Sequence, residues 1–175
     1  MQKALFLDRD GIINIDHGYI YQIEKFEFTE GLFDLLRLFI EKDYLLFVVT
    51  NQSGIGRGYY TEDDFQTLTN WMLKALKKEG IKISSVHYCK HAPEEYCSCR
   101  KPQTGMVDEI LFKHKLDLDN SWLIGDKQSD IDLAQNAKIS NSIAIGKRVI
   151  SNSTLSFETI LECKLFLEEN QVKIR

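Results

Sequence analysis

The sequence is poor in the features that break a chain into parts. Its 175 residues include only two prolines, and no low-complexity stretch, internal repeat or flexible linker interrupts them. One folded unit over residues 1–175 is therefore expected. No apolar run approaches the roughly twenty residues of a membrane-spanning helix, and Met1-Gln2-Lys3-Ala4 runs straight into a strand-like segment without signal-peptide features. Basic residues are in slight deficit, 22 against 26 acidic ones for a formal charge of −4. With no basic stripe, neither nucleic acid nor an anionic membrane is an expected partner, and an anionic ligand needs a local basic site. Cysteine is scarce and unevenly spread: Cys89, Cys97 and Cys99 crowd beside His91, unlike a disulfide framework, while the lone Cys163 reads as a small hydrophobe in an apolar-periodic segment. The expectation is a cytoplasmic monomer whose 43% hydrophobic residues build a core without covalent staples.

What is present alternates. Ala4–Leu7, 45–50, 86–89, 122–124 and 142–145 are short apolar runs rich in β-branched and aromatic residues, which predict strands. Between them, Leu32, Leu35, Leu36 and Phe39 share one helical face, and Phe65, Leu68, Met72, Leu73 and Leu76 share another. Stretches 106–114, 131–137 and 157–169 also read as helices, with Thr29 and Thr61 as N-caps. The order predicts a single Rossmann-like α/β domain, three layers deep (α/β/α) around a central parallel sheet, with ligands gathering beyond the carboxyl ends of the strands. The connections 14–28 and 90–104 are longer than such a fold needs, as functional loops often are.

The predicted strand ends carry chemistry. Asp8-Arg9-Asp10-Gly11 places two carboxylates two residues apart, with a glycine that permits a sharp turn behind them. A lone Asp-x-Asp-Gly is often only a solvated turn. Here Thr50-Asn51-Gln52-Ser53-Gly54 adds a hydroxyl, an amide and small residues whose N–H groups suit an anion, Gly125-Asp126 with Asp130 adds carboxylates suited to Mg²⁺, and Lys101 follows another strand. Four such ends are hard to explain as independent turns. Cys89, His91, Cys97 and Cys99 form two close pairs across a short loop, a Cys₃His set suited to tetrahedral zinc; a set closed by four protein ligands is structural rather than catalytic.

These four strand-end motifs, Asp8 to Asp10, Thr50, Lys101 and Asp126 to Asp130, resemble those of the haloacid dehalogenase superfamily of phosphotransferases over nearly the whole chain. The resemblance implies Asp8 as nucleophile, Asp10 as general acid, Thr50 and Lys101 holding the transferred phosphoryl group, and Asp8, Asp10 and Asp126 around Mg²⁺. The zinc loop together with Asp16-His17-Gly18-Tyr19, Arg57-Gly58, Cys99-Arg100-Lys101-Pro102 and Gly125-Asp126-Lys127 is more narrowly similar to the bacterial D,D-heptose 1,7-bisphosphate phosphatases. That family has no large cap domain and removes the 7-phosphate during synthesis of nucleotide-activated heptose for lipopolysaccharide. The resemblance implies that Asp16, His17, Gly18, Tyr19, Asn51, Gln52 and Ser53 contact a phosphorylated sugar, that Arg100 recognises its second phosphate, and that Arg57 is a further candidate. Ile12 departs from the threonine usual there. Two alternatives remain at this point: a histidinol-phosphate phosphatase, which shares the aspartates and the Cys/His loop, and an inactive zinc-stabilised binding protein.

Overall fold

The computed structural model describes residues 1–174. Strand β1 (Ala4–Leu7) is buried at every position, because Leu5 and Leu7 point into one apolar cluster and Ala4 and Phe6 into another. That period of two is the signature of a strand covered on both faces. Strand β2 (Leu45–Asn51) repeats it, with Leu46 and Val48 on one side and Phe47 and Val49 on the other. The first cluster is closed by helices α1 (Leu32–Ile40), α3 (Glu62–Lys78) and α6 (Ile160–Glu169), and the second by α4 (Gly105–Lys113) and α5 (Gln128–Asn136). The short α2 (Ser53–Gly56) follows β2 directly.

Strands β3 (Ile83–Cys89), β4 (Trp122–Gly125), β5 (Asn141–Ile145) and β6 (Leu155–Phe157) complete a six-stranded, fully parallel sheet in the order β3-β2-β1-β4-β5-β6. The chain builds outward from β1 in one direction and returns to build from β4 in the other. A crevice opens at the carboxyl ends where that direction reverses, and Asp8 and Asp126 stand there.

The expected α/β/α layering is thus observed, and all four apolar residues of the predicted α1 face are buried. Thr61 caps α3 in a capping box with Asp64. Thr29 does not cap: Gly31 precedes α1, and the Thr29 hydroxyl instead donates to the Ile12 carbonyl at 2.5 Å. The helix expected from Phe157 starts at Ile160, because 155–157 pairs with β5 as a strand. Three residues without an apolar run carry no strand signal of their own; their conformation comes from the neighbour. Ile12 and Cys163 are core residues, and burial pushes the Cys163 thiol up to about 12.

Candidate active site

Asp8 leaves β1 with its backbone N–H still bonded to the Ile124 carbonyl of β4 at 3.0 Å, so the sheet itself fixes its position. The chain then turns tightly, with the N–H groups of Ile12, Ile13 and Asn14 all bonding to the Arg9 carbonyl. Gly11 is required in this turn: its φ is +87°, and a Cβ there would lie 2.6 Å from Cγ of Asp126. Asp8 Oδ1 accepts the Arg9 N–H at 2.7 Å and sits 3.0 Å from Lys101 Nζ. That ammonium also lies 2.6 Å from Asp130 Oδ1 and donates to the Val49 carbonyl at 3.0 Å.

All three charged groups, Asp8, Lys101 and Asp130, are buried. Burial raises the Asp8 carboxyl, Lys101 partly opposes this, and the charges of Asp130 and Asp10 add to it, leaving the group near 7. Burial alone pulls the Lys101 ammonium down, but Asp130 and Asp8 more than reverse it, so Lys101 stays charged. Its backbone is clamped by Asn51, whose Oδ1 accepts the Lys101 N–H at 3.0 Å.

Asp126 follows β4, and Asp130 stands in the first turn of α5, where its carboxylate accepts the Lys127 N–H at 3.0 Å. One oxygen from each of Asp8, Asp126 and Asp130 lies within 4.8 Å of the others. Arg148 occupies Asp126 Oδ2 at 2.9 Å, whereas Oδ1 is buried without a hydrogen-bond partner. A cluster of hard oxygens with an unspent lone pair fits Mg²⁺. Asp10, expected in this set, turns its carboxylate elsewhere: it accepts from Arg9, Asn14 Nδ2 at 3.0 Å and Gln52 Nε2 at 2.9 Å. The turn after Asp8 ends the strand alternation that would have put the two carboxylates on one face, and Asp130 takes the third place in the cluster.

A cleft of about 350 Å³ opens beside Asp10 and Lys101, and its wall includes Asp16, Gly18, Tyr19, Asn51, Gln52, Ser53 and Arg100. Arg100 Nη1 is buried there without a partner. His17 and Arg57 are exposed and lie outside this wall, with His17 3.9 Å from Glu27. Thr50 is buried at the end of β2, its hydroxyl accepting from Gln52 Nε2 at 3.0 Å.

Cys89, His91, Cys97 and Cys99 converge in the loop that leads into Arg100. Sγ of Cys89 is 3.4 Å from that of Cys97 and 3.5 Å from His91 Nδ1, and Cys99 Sγ is 3.2 Å from the same nitrogen and 3.5 Å from Cys97. Ligands about 2.0–2.3 Å from a central zinc sit a little under 4 Å apart in a tetrahedron, so these atoms already form a near-closed cage. His87 and His114 have other partners: His87 lies between Ser85 and Glu109, each at 2.9 Å, and His114 packs on Phe47.

Residues 98–146 match a family model described as HAD-hydrolase-like. The chain is 46% identical over 167 residues to a D-glycero-beta-D-manno-heptose-1,7-bisphosphate 7-phosphatase of Helicobacter pylori, covering 95% of this chain and 94% of that one. It is 45% identical over 171 residues to a D-glycero-alpha-D-manno-heptose-1,7-bisphosphate 7-phosphatase of Campylobacter jejuni, covering 97% and 98%. The chain belongs to the heptose-1,7-bisphosphate 7-phosphatase family. Its fold is that of the D,D-heptose 1.7-bisphosphate phosphatase from B. bronchiseptica complexed with magnesium and phosphate, with a TM-score of 0.83 at 23% identity, covering 96% of this chain and 99% of that one.

For a heptose-bisphosphate phosphatase family member, the residues beyond the expected set are informative. Arg9, Asn14 and Tyr60 surround Asp10 or its partners, Lys127 enters the cleft 3.7 Å from Asp16, and Arg148 holds Asp126. Arg9 and Lys127 stand inside the motifs themselves. Tyr60 and Arg148 carry no local signal, since only the fold brings them to the site.

Proposed function

We propose that the protein is a phosphoric monoester hydrolase that removes the 7-phosphate of a D-glycero-D-manno-heptose 1,7-bisphosphate through a phosphorylated Asp8. The observation that carries this reading is a cleft with two cationic poles: Lys101 against Asp8 at 3.0 Å at its base, and Arg100 on its wall. A bisphosphate offers one anion to each.

Asp8 Oδ1 is engaged by Arg9 and Lys101, which leaves Oδ2 as the attacking atom. In the first step a bond forms from Oδ2 to phosphorus and the phosphorus–sugar oxygen bond breaks, its electron pair passing to the sugar oxygen, which takes a proton from Asp10. In the second, water attacks phosphorus, Asp10 accepts its proton, and the Asp8 carboxylate departs. Lys101 and Thr50 hold the transferred group, and the sugar lies along Asp16, Gly18, Tyr19 and Ser53. Asp8, Asp126 and Asp130 would hold Mg²⁺, which would supply charge neutralisation for the encounter of carboxylate with phosphate. Zinc in the Cys/His cage, a cytoplasmic location compatible with free thiols, action as one domain and a monomeric state belong to the same reading.

The test is phosphate release by magnesium-supplied protein from the α and β anomers of heptose 1,7-bisphosphate and from histidinol phosphate, with phosphorus NMR reporting which ester is lost. Preferential loss of the 7-phosphate is expected. Preference for histidinol phosphate would overturn the substrate, and no release from any would return the protein to the class of binding proteins.

A further inference from the structure

Asp10 receives more donors than any other acid of the site. Oδ1 accepts from Arg9 Nη2 at 2.9 Å and Asn14 Nδ2 at 3.0 Å, and Oδ2 from Gln52 Nε2 at 2.9 Å and Arg9 Nη2 at 3.1 Å. Gln52 is 2% exposed, so its amide cannot turn to water for either end. Its nitrogen is divided between Asp10 and Thr50, and its oxygen accepts from the Tyr60 hydroxyl at 2.5 Å. A flipped amide would aim its oxygen at the Asp10 carboxylate, lone pair against anion.

Tyr60 is anchored independently of this contact. Its ring stacks on Tyr21 with centroids 5.2 Å apart and planes at 11°. It also fills the space beside Gly54, where a Cβ would fall 2.2 Å from Tyr60 Cε1. Burial, the largest influence on the phenol, pushes it up to about 12, so it remains an un-ionised donor.

We infer that Tyr60 is a positioning residue for the general acid: its hydroxyl fixes the Gln52 amide, and Gln52 in turn aims Asp10 at the leaving oxygen. The inference rests on the reading of Asp10 as the proton donor. Tyr60 touches Gln52 rather than the reacting atoms; because the same Gln52 nitrogen also reaches the Thr50 hydroxyl, a fault in phosphoryl binding would slow every phosphate ester alike, whereas a fault in proton delivery slows only esters with a poor leaving group.

The experiment compares a sugar phosphate, whose alkoxide cannot leave unprotonated, with p-nitrophenyl phosphate, whose phenolate can. Tyr60→Phe keeps the ring packing and removes the hydroxyl. It is expected to lower kcat for heptose 1,7-bisphosphate by about tenfold, a fraction of what a general acid contributes. KM should stay within about twofold and the aryl ester should be hydrolysed at close to the wild-type rate, so the ratio of the two rates falls about tenfold. Gln52→Met, similar in size and without the amide, should shift the ratio at least as much, and the double variant no further than Gln52→Met alone, as one relay requires. Equal losses on both esters, an unchanged ratio, or additive losses in the double variant would overturn the inference. Wild-type protein that hydrolyses neither ester would instead overturn the proposed activity.

Discussion

Arg148 Nη1 lies 2.9 Å from Asp126 Oδ2, while Asp126 Oδ1, on the other side of the same carboxylate, is buried without a hydrogen-bond partner. The arginine thereby leaves Oδ1, which faces Lys127 Nζ at 3.8 Å, as the oxygen available to a cation. It comes from the connection between β5 and β6 and also donates to the Asp126 carbonyl at 3.2 Å, so it holds both side chain and backbone. Groups that orient metal ligands are worth about 10- to 100-fold in affinity; because the Arg148 side chain is 59% exposed, the lower end applies. Arg148→Ala should weaken Mg²⁺ binding by about tenfold by isothermal titration calorimetry, and unchanged affinity would show that Asp126 needs no such support.

Asp8→Asn retains the shape of the side chain and removes the nucleophile. Turnover should fall by more than about 10⁴-fold, as loss of a nucleophile does elsewhere, while circular dichroism and zinc content stay as in the parent. Lys101 keeps Asp130 at 2.6 Å, which is why the fold should tolerate the change. Substantial residual turnover would remove Asp8 from the mechanism.

The Asp8 carboxyl near 7, raised from 3.8, links magnesium to pH with a definite sign. In the magnesium-free protein the folded state holds this proton more tightly than the unfolded chain. The ionised group therefore costs stability increasingly as pH rises from about 4 to about 7. Asp126, also raised chiefly by burial, acts in the same direction. A bound cation offsets that cost, so the rise in Tm on adding Mg²⁺ should widen between pH 5 and pH 8 (roughly one unit beyond the window on its upper side). Melting curves with and without Mg²⁺, in the absence of chelator so that the Cys/His cage is undisturbed, measure this; a shift that narrows with pH would contradict it.

The Cys/His cage leads within two residues of Cys99 to Arg100 and Lys101. Cys97→Ser should lower zinc content well below one per chain and expose 90–104 to limited proteolysis. KM for the bisphosphate should rise more than kcat falls, because Arg100 is displaced while Lys101 retains Asn51 and Val49. Metal analysis with steady-state kinetics reads both, and unaltered KM would separate the cage from substrate recognition.

Gly11→Ala introduces a single methyl group where no space exists, 2.6 Å from Asp126 Cγ at a φ of +87°. The turn or Asp126 must shift, and strain at such a residue costs on the order of 1–3 kcal/mol. Both Tm and magnesium affinity should fall. A variant of wild-type Tm would mean that the turn relaxes freely.

Much of this protein was legible in its residues one segment at a time. The apolar runs at 4–7 and 45–50 and the helical spacing of Leu32, Leu35, Leu36 and Phe39 are local patterns, and each became the expected element because both faces of the sheet had to be covered. Asp8, Thr50, Lys101 and Asp126 were identifiable because parallel α/β folds place strand ends on one rim. The cage was identifiable because cysteines rarely crowd in a chain without disulfides. Direction and partnership were not local. That Asp10 turns to Arg9, Asn14 and Gln52 while Asp130 joins Asp8 and Asp126 follows from a tight turn and from helix α5 packing under β4. That 155–157 forms a strand follows from the free edge of β5, and that Tyr60 and Arg148 reach the site follows from connections of no fixed pattern. Residue types and spacing determined which chemistry was available; packing, which sets the contacts of residues distant along the chain, decided which groups hold one another in place.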